Sequence, residues 1–306
     1  MSKFEKRFLI RKIKVTAAIL MSLVLAVIFI ISSSGAYEKK EDDVYLPVIM
    51  YHSFLKEPSL QNDYVISPDV LEADLKYFNE NAYTTITVDD LIKYVYNGKS
   101  LPPKCVMLTF DDGYYNNYEY AYPLLKKYNA RAVLAPIASQ SEIYTNTDEI
   151  SVSYGYCSAD ILKEMSESEI IEIQNHTYDM HNLQPRKGIL RKNNESTEEY
   201  KNALTGDIEK SQNFFKEKVG VNPVCFVYPY GFTSSESLNI IKENGFLCTM
   251  TVSEKPNLIS RNPESLFELG RYRRDKDETT AELMARISKG VWSLLCHKYS
   301  EIEYYV

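Results

Sequence analysis

The chain has 306 residues, of which 44% are hydrophobic and 25% are charged. These are ordinary values for a globular protein with a full core, and they exclude a collagen-like or wholly disordered chain. The 35 basic and 42 acidic residues give a net charge of -7. A general nucleic-acid binder would carry a basic surplus, so we expect no nucleic acid among the partners.

The N-terminus differs in composition from the rest of the chain. The first 36 residues hold six basic residues and one acidic residue, and residues 15–31 form an apolar run interrupted only by Thr16 and Ser22. This is the layout of an export signal, and the run reaches the lower length limit of a membrane-spanning helix. It predicts either an uncleaved anchor, with a membrane contact through the N-terminal helix, or a signal peptide cleaved after Ala36.

Both alternatives predict that the body of the protein lies at the extracellular face of a bacterial membrane or is secreted. The predicted organisation is a basic segment and signal at 1–36, a polar linker at 37–45 and one domain at 46–306. The body carries 29 basic and 41 acidic residues, which suits a neutral or cationic substrate. Five cysteines without a CxxC motif predict no disulfide framework, and Cys105 and Cys225 lie in apolar runs typical of buried thiols.

Predicted strands and helices alternate along the chain. Ser67 and Pro68 are a typical helix start, and Gly98 can end the next helix. Alternation predicts an α/β fold with a parallel sheet, closed or nearly closed into a barrel, with the active site at the carboxyl ends of the strands. We predict strands at 46–51, 83–88, 106–110, 132–138, 170–173, 224–228 and 247–252, helices at 67–78, 89–96, 118–128, 159–165, 197–218, 237–244 and 279–289, and an extended segment at 266–272.

Two neighbouring carboxylates follow one of these strands, in the segment Thr109-Phe110-Asp111-Asp112-Gly113. Like charges repel, so the pair needs a cation or solvent between its members. One aspartate can bind a metal while the other acts as a general base. On its own, however, Asp-Asp-Gly is more often a solvated turn.

Two of the four histidines, His176 and His181, lie five residues apart after the predicted strand at 170–173. Two imidazoles and one carboxylate form a catalytic metal set that leaves positions open for water and substrate. The alternative is a pair of unrelated loop histidines.

A third strand end carries Val227-Tyr228-Pro229-Tyr230-Gly231. Because proline and glycine bracket Tyr230, its backbone is held tightly, and an N–H here can face a developing oxyanion. Alone, this segment is also compatible with an ordinary turn.

Together the three segments resemble the motifs of the polysaccharide deacetylases of carbohydrate esterase family 4, the NodB-homology family, over roughly residues 46–288. The resemblance implies a distorted (β/α) barrel of about seven strands. It implies that Asp111 is the general base and that Asp112, His176 and His181 bind a divalent metal, Zn²⁺ first, with Co²⁺ or Ni²⁺ as alternatives. The implied substrate is an N-acetylated polysaccharide.

The histidine spacing resembles the subgroup of extracellular poly-N-acetylglucosamine deacetylases. In that subgroup the motif with the general-acid histidine is circularly permuted to the front, and Ile49-Met50-Tyr51-His52 fits this description. His297, near the C-terminus, is the competitor in the unpermuted layout, and we favour His52.

The chain departs from the family pattern at two points. Val227 stands where the third motif usually has an arginine that holds the base aspartate, and Arg271 is our candidate replacement because it also follows an extended segment. The Asp-x-x-Asp-Trp motif is not visible, and the one tryptophan is Trp292.

The function that we predict is removal of acetyl groups from N-acetylglucosamine-containing glycan by a metal-dependent hydrolase. Two alternatives remain at this point. One is an O-acetyl esterase or small-amide hydrolase of the same fold, and the other is a catalytically silent cell-wall scaffold.

Overall fold

The computed structural model describes residues 43–147 and 150–302, with side chains described as far as Val291. The predicted signal or anchor and most of the predicted linker lie outside these residues, so the membrane contact and the extracellular location stay predictions. Within the described ranges, no helix combines the length and the apolar character that a membrane crossing requires.

The described strands are short, except for one of eight residues. They are β1 (Val44–Leu46), β2 (Val48–Tyr51), β3 (Ser53–Phe54), β4 (Val65–Ile66), β5 (Thr84–Ile86), β6 (Cys105–Asp112), β7 (Ala132–Pro136), β8 (Ile171–Ile173), β9 (Cys225–Val227), β10 (Cys248–Met250), β11 (Asn257–Ile259) and β12 (Tyr272–Arg273).

The main sheet has the order β12-β2-β6-β7-β8, and the two strands of every neighbouring pair in it run parallel. Two isolated parallel bridges extend it: Asn175 with Phe226 links the end of β8 to β9, and Met250 with Leu269 links β10 to the segment before β12. Since β9 and β10 also pair in parallel, these contacts complete a circuit of seven strands. The predicted parallel α/β architecture is therefore confirmed.

The remaining strands lie outside this circuit. β5 pairs in parallel with the first half of β6, and β3 pairs with β4. β1 pairs antiparallel with β11, so that Val44 lies opposite Ile259. The folded body therefore begins before residue 46, and the predicted linker was too long at its C-terminal end. The polar composition of the segment indicated a linker throughout, because the pairing of β1 with the distant strand β11 cannot be seen in the local sequence.

The helices lie between the strands, as predicted from the alternation. Ser67 Oγ accepts the Asp69 N–H at 3.2 Å at the start of the helix Pro68–Glu80, and Gly98 adopts φ +70° at the end of the helix Val88–Asn97, as their residue types indicate. The helices are α1 (Pro68–Glu80), α2 (Val88–Asn97), α3 (Tyr122–Tyr128), α4 (Ala138–Thr145), α5 (Ala159–Glu167), α6 (Thr197–Phe214), α7 (Ser235–Glu243) and α8 (Thr280–Ile302).

Three details differ from the predictions. Helix α4 was missed, because only Ala138 and Ser141 of its eight residues are buried and it has almost no apolar face. The predicted helices at 118–128 and 197–218 each contain a wider π-helical turn, at Asn117–Ala121 and Phe215–Val219. The predicted extended segment at 266–272 begins after a short 3₁₀ turn, Pro263–Leu266.

The longest strand separates two parts of the core. Along β6, Val106 and Leu108 pack with the surrounding helices, whereas Cys105 and Met107 pack with residues of β2, β7, β9 and β10. Because side chains alternate along a strand, the second set fills the inside of the circuit, and Asp111 continues this inner row. The four cysteines whose side chains are described are buried free thiols, which confirms the prediction for Cys105 and Cys225.

Candidate active site

The two aspartates occupy the last two positions of β6, and both side chains are buried. The backbone turns sharply here, with φ +70° at Asp112 and +81° at Gly113. A Cβ atom on Gly113 would lie 2.5 Å from Pro136 Cβ at the end of β7. Only glycine allows the two strand ends to approach so closely, so the glycine of the motif sets the direction of both carboxylates.

Arg271 makes a bidentate ion pair with Asp111. Its guanidinium nitrogens donate at 2.6 and 2.8 Å to the two carboxylate oxygens, and its Nε donates to the Thr251 carbonyl at 2.8 Å. Arg271 is fully buried. Burial alone raises the pKa of Asp111, but the adjacent guanidinium outweighs it and holds that pKa well below the usual range. Asp111 is therefore ionised at every physiological pH.

Asp112, His176 and His181 converge on one point. Asp112 Oδ1 lies 3.5 Å from Nε2 of His176 and 3.4 Å from Nε2 of His181. That oxygen is buried and has no hydrogen-bond partner. His176 Nδ1 contacts the Val227 carbonyl at 2.8 Å, so the proton lies on Nδ1 in the neutral ring and Nε2 faces the aspartate. A buried acceptor without a donor, beside two imidazole nitrogens, fits a divalent cation.

The electrostatics of the two histidines differ. Burial and the neighbouring His176 lower the pKa of His181 to about 4. For His176, burial is outweighed by Asp112 and Asp111, and the pKa is raised. Without a cation, the carboxylates thus favour a positive charge at this point, and a bound metal supplies that charge in place of a proton.

His52 lies beside Asp111, directly after β2. Its Nε2 is 3.9 Å from Asp111 Oδ2, and the Tyr64 ring packs edge-on against the imidazole at a centroid distance of 4.9 Å. Burial is the main cause that lowers the pKa of His52 below its usual value. The competing residue His297 falls outside the described side chains, as does Trp292.

Tyr230 lies at the cleft in a 3₁₀ turn, Pro229–Gly231, with φ +56°. Its ring is 4.4 Å from the His181 ring, centroid to centroid. A Cβ atom on Gly231 would lie 2.3 Å from Val252 Cγ2. The glycine therefore allows the turn to pack against Val252 after the next strand, and the Tyr230 side chain lies against the ligand His181.

These groups line one cleft of about 610 Å³. The structure thus brings His52, Asp111, Asp112, His176, His181 and Tyr230 together, with Arg271 behind Asp111. Sequence reasoning missed part of the wall, because these residues lie in short strands and loops and, apart from Met50, outside the quoted motifs. The missed residues are Met50, Ser53, Tyr64, Val65, Ser153, Tyr154, Tyr156 and Val252.

Comparison with known proteins agrees with this geometry. Residues 98–249 match the family model described as polysaccharide deacetylase. The poly-beta-1,6-N-acetyl-D-glucosamine N-deacetylase of Staphylococcus aureus (strain MRSA252) is 30% identical over 196 residues, which cover 63% of each chain. The protein of the same name from Escherichia coli (strain K12) is 26% identical over 217 residues, which cover 65% of this chain and 32% of that protein.

A solved structure of a de-N-acetylase from Aggregatibacter actinomycetemcomitans shares the fold with a TM-score of 0.68 and 26% identity, over 79% of this chain and 99% of that one. The chain spans less than two thirds of both named Staphylococcus aureus and Escherichia coli relatives. The motifs, the fold and these similarities together show that the chain carries a polysaccharide deacetylase domain, the domain of hydrolases that act on the N-acetyl amide bonds of polysaccharides.

Proposed function

We propose that this protein is a metal-dependent N-deacetylase of N-acetylglucosamine-containing glycan that acts outside the cytoplasm. One observation carries the proposal. A complete metal-ligand set, a carboxylate held ionised and a histidine at 3.9 Å from that carboxylate meet in one cleft. A scaffold protein has no physical need to bury this arrangement.

The residues that would hold the metal are Asp112, His176 and His181. When bound, a Zn²⁺ ion lowers the pKa of a water molecule and polarises the acetamide carbonyl. Zn²⁺ suits one carboxylate and two imidazoles, and Co²⁺ or Ni²⁺ can replace it at such ligands.

In this mechanism Asp111 takes a proton from the attacking water. Because Arg271 lowers the pKa of Asp111, this carboxylate is a weak base and needs a water molecule that is already acidified. Arg271 also keeps both carboxylate oxygens in place by its bidentate contact. The ion pair with Arg271 thus fixes the orientation of the Asp111 carboxylate and makes that carboxylate a weaker base.

His52 delivers the proton to the leaving nitrogen. Its lowered pKa leaves the imidazole uncharged near neutral pH, so it gains a proton within each cycle. Asp111 holds the proton taken from the water and can supply it through one bridging water, because its Oδ2 lies 3.9 Å from Nε2 of His52. The C–N bond then breaks, the new C–O bond remains in acetic acid, which ionises to acetate, and the amine carries the proton that Asp111 took from the water. The Tyr230 N–H, in the turn Pro229–Gly231, would donate to the developing oxyanion.

The cleft wall favours an uncharged glycan. Among the described residues that line it, none is a lysine or arginine, whereas Tyr64, Tyr114, Tyr154 and Tyr156 present aromatic rings. A polyanionic substrate would find no lysine or arginine on this wall to pair with, while sugar rings can pack on tyrosine faces. The named relatives are poly-beta-1,6-N-acetyl-D-glucosamine N-deacetylases, which supports the same class of substrate.

The test is acetate release by the purified full-length protein from N-acetylglucosamine oligomers, with chelator and then with added Zn²⁺ or Co²⁺. We expect acetate release that the chelator abolishes and that added metal restores. Acetylated xylan, assayed in parallel, distinguishes an O-acetyl esterase. Metal binding without release from either substrate would contradict the proposed activity, and the absence of metal binding would favour the scaffold.

A further inference from the structure

The loop that carries both metal histidines is held from outside the barrel by α6. The two carboxylate oxygens of Asp207 accept the backbone N–H groups of Tyr178 and Asp179, each at 2.8 Å. Both donors lie between His176 and His181 in sequence. One side chain therefore binds the middle of the loop whose two ends supply the metal ligands.

A second contact from the same helix face anchors the start of the loop. Asn175 Nδ2 donates to Ser211 Oγ at 2.7 Å, and Asn175 Oδ1 accepts the Thr177 N–H at 2.8 Å. Asp207 and Ser211 are four residues apart, so they are neighbours on one side of α6. Thr177, between these anchors, has φ +72°. The backbone is thus held in a conformation that threonine rarely adopts.

Asp207 is itself 8% exposed. Burying a carboxylate is costly unless it is paired or hydrogen-bonded, and two charge-assisted bonds to backbone N–H groups compensate that cost. These bonds fix the turn between the histidines, and the turn sets how closely the two Nε2 atoms approach Asp112 Oδ1. A loosened turn would separate the ligands without removing any of them.

We propose that Asp207 is a positioning residue of the metal site. Its carboxylate holds the turn at 177–179 and thereby brings His181 to the distance at which it and His176 share one cation. This inference rests on the metal site of the proposed function, but its main readout is metal affinity and does not require the substrate.

The experiment compares Asp207→Ala and Asp207→Asn with the control Glu209→Ala in the full-length protein. Glu209 is an exposed acidic residue on the same helix, so the control removes an equal charge. Zn²⁺ affinity is measured by competition with a chromophoric chelator, and the visible spectrum of bound Co²⁺ reports ligand geometry. The Tm of the chelator-treated proteins measures folding alone.

We expect Asp207→Ala to weaken Zn²⁺ binding about 10- to 100-fold, the usual effect of losing a partner behind the metal ligands, and to alter the Co²⁺ spectrum. Asp207→Asn keeps one acceptor oxygen and should lose less affinity. Glu209→Ala should match the wild type. Excess Zn²⁺ should restore turnover in Asp207→Ala.

Unchanged Zn²⁺ affinity and an unchanged Co²⁺ spectrum in a folded Asp207→Ala protein would overturn the inference, even if its Tm falls. If that variant does not fold, the same result in Asp207→Asn overturns it. A wild-type protein that binds Zn²⁺ but releases no acetate would overturn the proposed function and leave the inference standing.

Discussion

The two segments that supply the candidate metal ligands are built differently. The aspartate pair lies within the longest described strand, β6, whose eight residues are all buried. The histidines lie at the two ends of a loop after β8, a strand of three residues. The first segment is therefore held by the sheet and by Arg271 inside the barrel, and the second by side chains of α6 outside it.

This difference predicts two kinds of mutational effect, one on proton transfer and one on metal affinity. A change beside Asp111 alters the group that handles protons and leaves the metal ligands in place. A change behind the histidine loop alters metal affinity and leaves the base untouched. The following predictions test this separation, from the largest expected effect to the smallest.

Asp111→Asn should reduce turnover by about 10²- to 10⁴-fold, the usual loss when a general base is removed. The neutral amide cannot take a proton from water, but Asp112, His176 and His181 remain. Zn²⁺ affinity should therefore stay near that of the wild type, as measured by chelator competition. Asp112→Asn is the matched variant and should lose metal as well as activity. Near-normal turnover in Asp111→Asn would show that another group is the base.

His52→Ala should reduce kcat by about 10²-fold or more, because the leaving amine loses its proton donor. His297→Ala is the control and should retain normal kcat. The measurement is acetate release at saturating Zn²⁺. The opposite pattern, with the large loss at His297, would restore the unpermuted assignment of the general acid.

Arg271→Lys should move the acidic limb of the kcat/KM profile to higher pH. The wild-type guanidinium lowers the pKa of Asp111, so a lysine that makes fewer contacts lets this pKa rise and the base is lost at a higher pH. Zn²⁺ affinity should not change. Arg273→Lys, two residues along and paired with exposed Asp63, is the control. An unshifted limb would mean that Arg271 does not set the charge of Asp111.

Tyr154→Ala should have the smallest effect, because Tyr154 is 59% exposed at the cleft wall and is neither a candidate metal ligand nor a candidate proton carrier. A lost aromatic contact of about 1 kcal/mol corresponds to roughly a fivefold rise in KM for oligomers. Neither kcat nor Zn²⁺ affinity should change, and Tyr154→Phe should behave like the wild type. Tyr96→Ala, 46% exposed on α2, is the control, and an equal KM for the two alanine variants would exclude sugar contact at Tyr154.

Much of the site could be predicted from local sequence. The residue types at three strand ends left alternatives open one by one, but the family motifs that they resemble together were sufficient to predict that Asp111, Asp112 and the two histidines meet at the carboxyl ends of the strands. The caps at Ser67 and Gly98 were likewise predictable, since they depend on neighbouring backbone only.

The contacts that complete the site were harder to predict, because they join residues far apart in the chain. Arg271 is 160 residues from Asp111, and its role was a candidate drawn from a missing motif arginine. Asp207 follows the histidine loop by more than 25 residues and lies in a helix that was predicted but carries no catalytic motif. Tyr64, which packs on His52, belongs to a loop whose position depends on the pairing of β3 with β4.

The amino-acid sequence by itself determined the kinds of ligand, their order and their places at the ends of strands, because strand–helix alternation and glycine turns are local properties. Only the tertiary structure decided which basic side chain pairs with Asp111 and which side chains hold the histidine loop. It also decided how the circuit of strands closes through two isolated bridges. Those outcomes depend on buried charge pairs and backbone hydrogen bonds between distant segments, whose geometry exists only after the barrel has formed.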